Sequence, residues 1–299
     1  MADRSGVILD PAQRAGRPKT LIRKLATLAR RKPIGAVGAV IVFLLFGAAL
    51  FAPVIAPYQP LELNPAERLQ KPSARHLAGT DQLGRDIFSR LIYGSRTSLT
   101  IGLAVVIVSA VPAVTLGLIA AFYGGWVDYL IGRVVDTVQA IPGLVLLIAI
   151  LVTLGPSLMN VIIALCARRI WTECRVFRSA ALTVQSQTYV EAARALGAPN
   201  WWIMARYLLP NITPLIIVIT SLGVAGAILA EASLAFLGYG VPPPAPSWGG
   251  MLSSDGRAYM FVAPWMLVGP AVALSIVVFG TNMFGDALRD VLDPRLRGT

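Results

Sequence analysis

Residues 189–211 read Tyr189-Val-Glu-Ala-Ala-Arg-Ala-Leu-Gly197-Ala-Pro-Asn-Trp-Trp-Ile-Met-Ala-Arg-Tyr-Leu-Leu-Pro210-Asn211. Glu191 to Leu196 are strong helix formers. Gly197 stands where a helix commonly ends in a left-handed residue. Pro199 suits the first turn of a second helix, where its missing N–H is not needed, and Pro210 is expected to end that helix. The pattern predicts helix, turn and short helix, the last made apolar by Trp201, Trp202, Ile203 and Met204. Such a helix either lies at a lipid interface, where tryptophan is common, or enters a groove on a soluble partner. The residues leave both open.

Long apolar runs flank this segment on both sides. Hydrophobic residues make up 56% of the 299-residue chain and charged residues 14%, against about 25% charged in an ordinary soluble domain. Mean hydropathy is +0.69. The apolar residues stand in uninterrupted runs, not in the alternation of a soluble core. Six membrane helices are expected, at about Pro33–Pro57, Thr97–Tyr123, Val135–Leu154, Ser157–Phe177, Thr213–Leu237 and Pro264–Gly285. Each is close to the ~20 residues that a bilayer requires. Gly223, Ala225, Gly226, Ala227 and Ala230 suit the fifth for close packing at the centre of a bundle.

Lysine and arginine set the expected orientation. They crowd the N-terminal tail (Arg4, Arg14, Arg17, Lys19, Arg23, Lys24, Arg30, Arg31, Lys32), the 178–212 loop (Arg178, Arg194, Arg206) and the C-terminal tail (Arg289, Arg295, Arg297). The first loop on the opposite side balances Arg68, Lys71, Arg75, Arg85 and Arg90 with Glu62, Glu67, Asp81 and Asp86. The more basic side belongs in the cytoplasm, so both termini are expected there. The resulting organisation is a basic tail (1–32), a transmembrane domain (33–294) and a short C-terminal tail (295–299). The domain has outer loops at 58–96 and 238–263 and a cytoplasmic loop at 178–212. Leu21–Arg31 could lie as a basic helix on the inner surface. The first apolar run exceeds the h-region of a signal peptide, so it reads as an anchor.

The net charge of +11 does not mark a nucleic-acid binder, because the basic residues flank apolar runs and form no single basic face. Cys166 and Cys174 are eight apart on one helix, about 12 Å along its axis, too far to form a disulfide. They read as small packing residues. There is no Gly-x-x-x-x-Gly-Lys-Ser/Thr phosphate loop, no nucleophile elbow, and no metal-type neighbourhood around the single histidine, His76, which reads as a surface or cap residue.

The 189–211 segment resembles the EAA loop of bacterial ABC-importer permeases through Glu191, Ala192, Ala193, Gly197, Leu209 and Pro210. A second stretch, Gly79-Thr80-Asp81-Gln-Leu-Gly84-Arg85-Asp86-Ile-Phe-Ser89-Arg90-Leu-Ile-Tyr-Gly94-Ser-Arg96-Thr-Ser98-Leu99, is similar to the outer-loop signature of the C-type subunit of the dipeptide/oligopeptide permease family. Ala230-Glu231-Ala232, Ser247-Trp248-Gly249 and Phe284-Gly285-Asp286 extend the likeness to about Pro33–Pro294. The resemblance implies an all-α, six-span, type I importer bundle with a cytoplasmic coupling helix. Residues Glu191–Arg206, including Ala198, Pro199, Trp201 and Trp202, with Pro210 just beyond, would dock on a separate ATPase. The 79–90 signature would shape the entry near a binding protein. The implied partners are a homologous permease forming a heterodimer, two ATP-binding subunits carrying ATP and Mg, and an extracytoplasmic substrate-binding protein. The implied location is the bacterial inner membrane. The implied cargoes include dipeptides, oligopeptides, glutathione, opines, nickel chelates and some sugars. No cofactor or metal is expected in this chain.

Six charges fall inside expected spans; Asp136 and Arg175 stand near span ends, and the other four lie deeper. Glu231 reads as structural or gating, as a contact for a substrate ammonium, or as snorkelling to the surface. Arg169 and Glu173 are spaced for an i,i+4 pair, leaving Arg168 to face elsewhere. Either the fourth span ends early and these residues snorkel, or they line the translocation path and meet an anion such as a peptide carboxylate. Two rivals remain: a secondary transporter, for which Glu231 is a weak ion site, and a membrane scaffold.

Overall fold

A computed structural model describes residues 33–292. The basic tails, the possible surface helix Leu21–Arg31, Asp293, Pro294, Arg295 and Arg297 lie outside them. Among the described residues there is no strand, only a bridge between Thr80 and Asp86. The helices are α1 (Pro33–Leu50), α2 (Ala52–Ile55), α3 (Ile87–Tyr123), α4 (Gly125–Ala140), α5 (Gly143–Leu154), α6 (Leu158–Gln185), α7 (Thr188–Ala195), α8 (Asn200–Ile203), α9 (Leu209–Phe236), α10 (Trp248–Leu252), α11 (Ser254–Ala258) and α12 (Trp265–Leu292).

Among the described residues, four helices are long and apolar enough to cross a bilayer: Pro33–Leu50, Ile87–Tyr123, Asn200–Phe236 and Trp265–Leu292. The α4–α5 pair makes a fifth if taken as one span. This differs from the six expected at three places. Val135–Leu154 is not one helix, because α4 and α5 meet at 91°. The break falls at Ile141, which is extended (φ −85°, ψ 127°). The ring of Pro142 disfavours helical geometry in the residue before it. The fourth expected span is present as α6, but Arg168, Arg169, Glu173, Arg175 and Arg178 keep it below the apolar threshold. Finally, α3 begins ten residues ahead of Thr97, where Asp86 caps it by accepting from Ser89 N at 2.7 Å.

Pro210 does not end the short helix either. Residues 204–208 form a π-helical turn, in which Leu209 N donates to Met204 O, and α8 continues through it into α9. A proline inside a helix crowds the carbonyl four residues back. The wider π turn just before Pro210 falls where that crowding arises.

The centre of the bundle is α9, which packs on α3, α6, α10 and α12, while α1 packs chiefly on α12 and α6 runs along α3. Gly223, Ala225 and Ala227 are buried as expected of a central helix, but Gly226 faces open space. One core joins Ile101 and Val105 of α3, Leu147 and Leu151 of α5, Val161 and Leu165 of α6 and Leu234 of α9. A second, toward the 186–199 loop, joins Leu118, Phe122, Phe177, Val190, Ile203 and Leu208. Outward faces stay apolar: Phe43 on α1 is 77% exposed and Val111 on α3 is 68% exposed. Apolar surface this extensive marks a partner or a membrane, and closed helices are the form in which a backbone can face lipid.

Candidate functional site

Helix α7 ends in a Schellman turn. Gly197 has φ +79°, its N–H donates to Arg194 O at 3.0 Å, and Ala198 N–H donates to Ala193 O at 3.1 Å. Pro199 then caps α8, its carbonyl accepting from Trp202 N (3.0 Å) and Ile203 N (3.1 Å). Val190 and Ile203 are buried in the second core, which fixes both short helices to the bundle, and Ala193 is buried as well. What projects is Leu196, 88% exposed at the turn, and Trp201, 66% exposed on α8. Glu191, Ala192, Pro199 and Arg206 are also exposed, Trp202 and Ala198 are half-buried, and the Arg194 guanidinium stacks over Phe122 at 5.3 Å. The apolar stripe of α8 is therefore divided: Ile203 holds the helix down, and Trp201 presents it.

At the opposite end, the 79–90 stretch is folded and largely buried. Thr80, Asp81, Arg85, Asp86, Ser89 and Arg90 are all buried. Asp81 Oδ1 accepts from Leu83 N (2.8 Å) and Arg85 N (3.0 Å), while its Oδ2 accepts from Arg85 Nε (2.6 Å). Gly79 and Gly84 both have φ +76°. Arg90 Nη1 donates to Pro60 O at 3.2 Å. His76 is a correction: it is 2% exposed, not a surface residue. Its Nδ1 lies 2.9 Å from Asp86 Oδ1 and its Nε2 3.2 Å from Glu67 Oε2. The two carboxylates take opposite ring nitrogens, so the trio is a clasp that ties loop residues 67 and 76 to the start of α3. Among the described residues no group of three such side chains is placed to hold a metal ion.

The charges of α6 form a third feature. Arg169 and Glu173 make the expected ion pair. Arg169 also donates to Ile219 O at 3.3 Å and Gly223 O at 3.5 Å, so it points at the middle of α9, not toward a helix end. Arg168 lies beside the pair against Gly143 at the start of α5. These residues line a cleft of about 390 Å³ between α6 and α9, floored by Gly226, Ala227 and Ala230. Near the end of α6, Arg178 pairs with Asp128 and Arg175 with Asp136, joining α6 to α4.

Glu231 is separate from this cleft and fully buried. Ser247 Oγ donates to its Oε1 at 3.1 Å, and its Oε2 has no partner. Ser247 also accepts from Gly250 N at 3.0 Å as the cap of α10. Trp248 Nε1 on the same helix donates to Leu91 O at 3.0 Å. Ser247→Ala removes both the cap and the acid's hydrogen bond. It is expected to lower stability by about 1–3 kcal/mol, read as a lower thermal midpoint in detergent; an unchanged midpoint would dismiss the bond.

His76 with Glu67, the Ser247–Glu231 bond and the arginine seats at Gly143 and Gly223 were not foreseen from sequence. The spacing of Asp81 to Asp86 gives no hint that residue 67 joins it. Glu173, by contrast, announced itself by spacing alone.

Backbone similarity places the fold. A structure of the MetNI methionine ABC transporter in inward-facing conformations aligns with a TM-score of 0.57 and 19% identity, covering 69% of this chain and 98% of that one. The bundle therefore has the type I ABC-importer permease fold. Residues 113–298 match the family described as binding-protein-dependent transport system inner membrane component, and residues 29–72 match the N-terminal TM domain of oligopeptide transport permease C. The dipeptide transport system permease protein DppC of Alkalihalophilus pseudofirmus is 42% identical over 268 residues, 90% of this chain and 88% of that protein. The di/tripeptide DppC of Pseudomonas aeruginosa is 43% identical over 270 residues (88% and 89%). A glutathione transport system permease, GsiD of Pectobacterium atrosepticum, is 38% identical over 268 residues (89% of each). The chain belongs to the binding-protein-dependent ABC-importer permease family.

Proposed function

We propose that the chain carries di- or oligopeptides as one of two homologous permeases in the bacterial inner membrane. Two separate ATPase subunits bind ATP and Mg below it, and a binding protein delivers substrate above. The reading that six segments cross the membrane rests on α6. Its 28 residues span about 42 Å, and its charges turn toward α4, α5, α9 and the cleft between α6 and α9, where they need not meet lipid. Both termini are then cytoplasmic, on the side rich in Lys and Arg.

The observation that carries the coupling role is the α7–α8 hairpin. Its base is locked into the bundle by Val190 and Ile203, while Leu196 and Trp201 stand bare at its tip. A rigid knob with an apolar tip suits a groove on an ATPase, and it can pass motion to α9 because α8 and α9 are continuous. Outward and inward access would then alternate as the ATPases close and part. The α6–α9 cleft would line the path between the two permeases, and the folded 79–90 stretch would support the entry.

The test is co-purification of the tagged chain with the products of its neighbouring genes. The wild type is expected to bring down a second permease and ATPase subunits. Gly197→Asp forces a side chain into a left-handed conformation that costs about 1–2 kcal/mol, and Glu191→Ala alters the exposed face of α7. Both should lose most of the ATPase while keeping the second permease. Recovery of the chain alone, or ATPase retained by both variants, would overturn the coupling assignment.

A further inference from the structure

Arg168 is the eleventh residue of α6, about 15 Å from the start of the helix. Across the cleft stands Gly223, the fifteenth residue of the 28 in α9. The cleft is therefore at mid-height in the bundle, where an unpaired charge is costly unless it faces water or a partner.

The charges there do not cancel. Arg169 and Glu173 neutralise each other and are largely buried, at 17% and 7% side-chain exposure. Arg168 is exposed, its side chain has no hydrogen-bond or ion-pair partner among the described residues, and Glu173 is the only acid lining the cleft. The guanidinium rests against Gly143, whose lack of a side chain leaves it room. Opposite it the floor is small and apolar, with Gly226 open to the cleft. A volume of about 390 Å³ falls within the range of small-molecule sites.

We propose that Arg168 receives the C-terminal carboxylate of a peptide in transit, making the cleft a carboxylate subsite of the translocation path. This rests on the peptide-importer reading of the same path. A guanidinium fork matches a carboxylate in two parallel hydrogen bonds. The Arg169–Glu173 pair holds the adjacent turn of α6 against α9, so that the free guanidinium is presented at a constant height. A carboxylate arriving there replaces water and supplies the missing negative charge. The floor of glycine and alanine leaves room for the peptide main chain and makes no demand on side-chain identity.

The experiment uses the whole complex, with second permease, ATPases and binding protein, in ATP-loaded proteoliposomes. The probes are labelled trialanine and its C-terminal amide, each at a concentration that saturates the isolated binding protein. Arg168→Gln should lower ATP-dependent trialanine uptake about ten-fold or more and leave uptake of the amide at the wild-type rate. Arg168→Lys, which keeps the charge, should recover much of the loss. ATPase recovered per permease serves as the check on assembly. Wild-type rates of trialanine uptake by Arg168→Gln, or equal losses for acid and amide, would overturn the subsite while leaving the importer standing. A wild-type complex that takes up neither probe would remove the peptide reading itself, and the subsite with it.

Discussion

Arg169→Ala is expected to destabilise the protein far more than the double replacement Arg169→Leu with Glu173→Leu. Glu173 is 5% exposed, and Arg169 is its only ion-pair partner among the described residues. Truncating the arginine strands a buried carboxylate without its ion-pair partner. Breaking a buried pair from one side costs about 3–5 kcal/mol, whereas replacing both partners by apolar groups is often neutral or stabilising. The pair is also imperfectly satisfied, since Arg169 Nε and Glu173 Oε2 have no hydrogen-bond partner. That weakens the case for the pair as a source of stability and favours the double variant.

The two single variants should differ. Glu173→Gln leaves Arg169 with the carbonyls of Ile219 and Gly223, at 3.3 and 3.5 Å. Arg169→Ala leaves Glu173 with nothing. The expected order of thermal midpoints in detergent is wild type near the double variant, then Glu173→Gln, then Arg169→Ala. Residues in direct contact are non-additive, so the coupling is read from the full cycle. Equal losses from Arg169→Ala and from the double variant would mean that the pair contributes more than its replacement by packing.

The legible parts of the fold were those with local signals. Runs of apolar residues located α1, α3, α9 and α12, because a helix facing lipid needs no partner to be recognised. The end of α7 was readable for a related reason. Gly197 and Pro199 act on their own backbone within five residues, and the observed turn uses both. The same kind of residue misled where the backbone had more than one remedy. Pro210 was read as a stop, yet one π-helical turn lets the helix continue. Val135–Leu154 reads as one span, yet the chain turns through 91° beside Pro142.

The site was legible only as residue types. The i,i+4 spacing announced Arg169 and Glu173, but nothing local announced that Arg169 would lie on Gly223, 54 residues away in α9. The outer stretch was harder. Asp81, Arg85 and Asp86 look like surface charge, and their burial depends on Glu67, His76 and Pro60 folding back over them. Charged residues balanced within one loop carry little orientation signal for the same reason: they are engaged with each other.

The 79–90 fold also supplies the most severe single substitution. Gly84 has φ +76°, where a Cβ costs about 1–2 kcal/mol. In Gly84→Ala that Cβ would also overlap the main-chain carbonyl of Asn64. A flexible side chain could swing aside, but this carbonyl cannot move freely. Asn64 O accepts from Glu67 N at 2.9 Å and opens the turn that places Glu67 beside His76. Relieving the overlap therefore means displacing residues 64–67 from the start of α3, which exposes His76 and opens the clasp on Asp86. The expected result is rapid cleavage within residues 58–86 by a protease that leaves the wild type intact, with the spans still folded. Gly238→Ala is the matching control. Gly238 also has a positive φ, +92°, but a Cβ there meets nothing within 4 Å. It should show the backbone strain alone and a much smaller change in protection. Equal protection of the two variants would mean that the Asn64 contact does not hold the loop, and that the clasp survives without it.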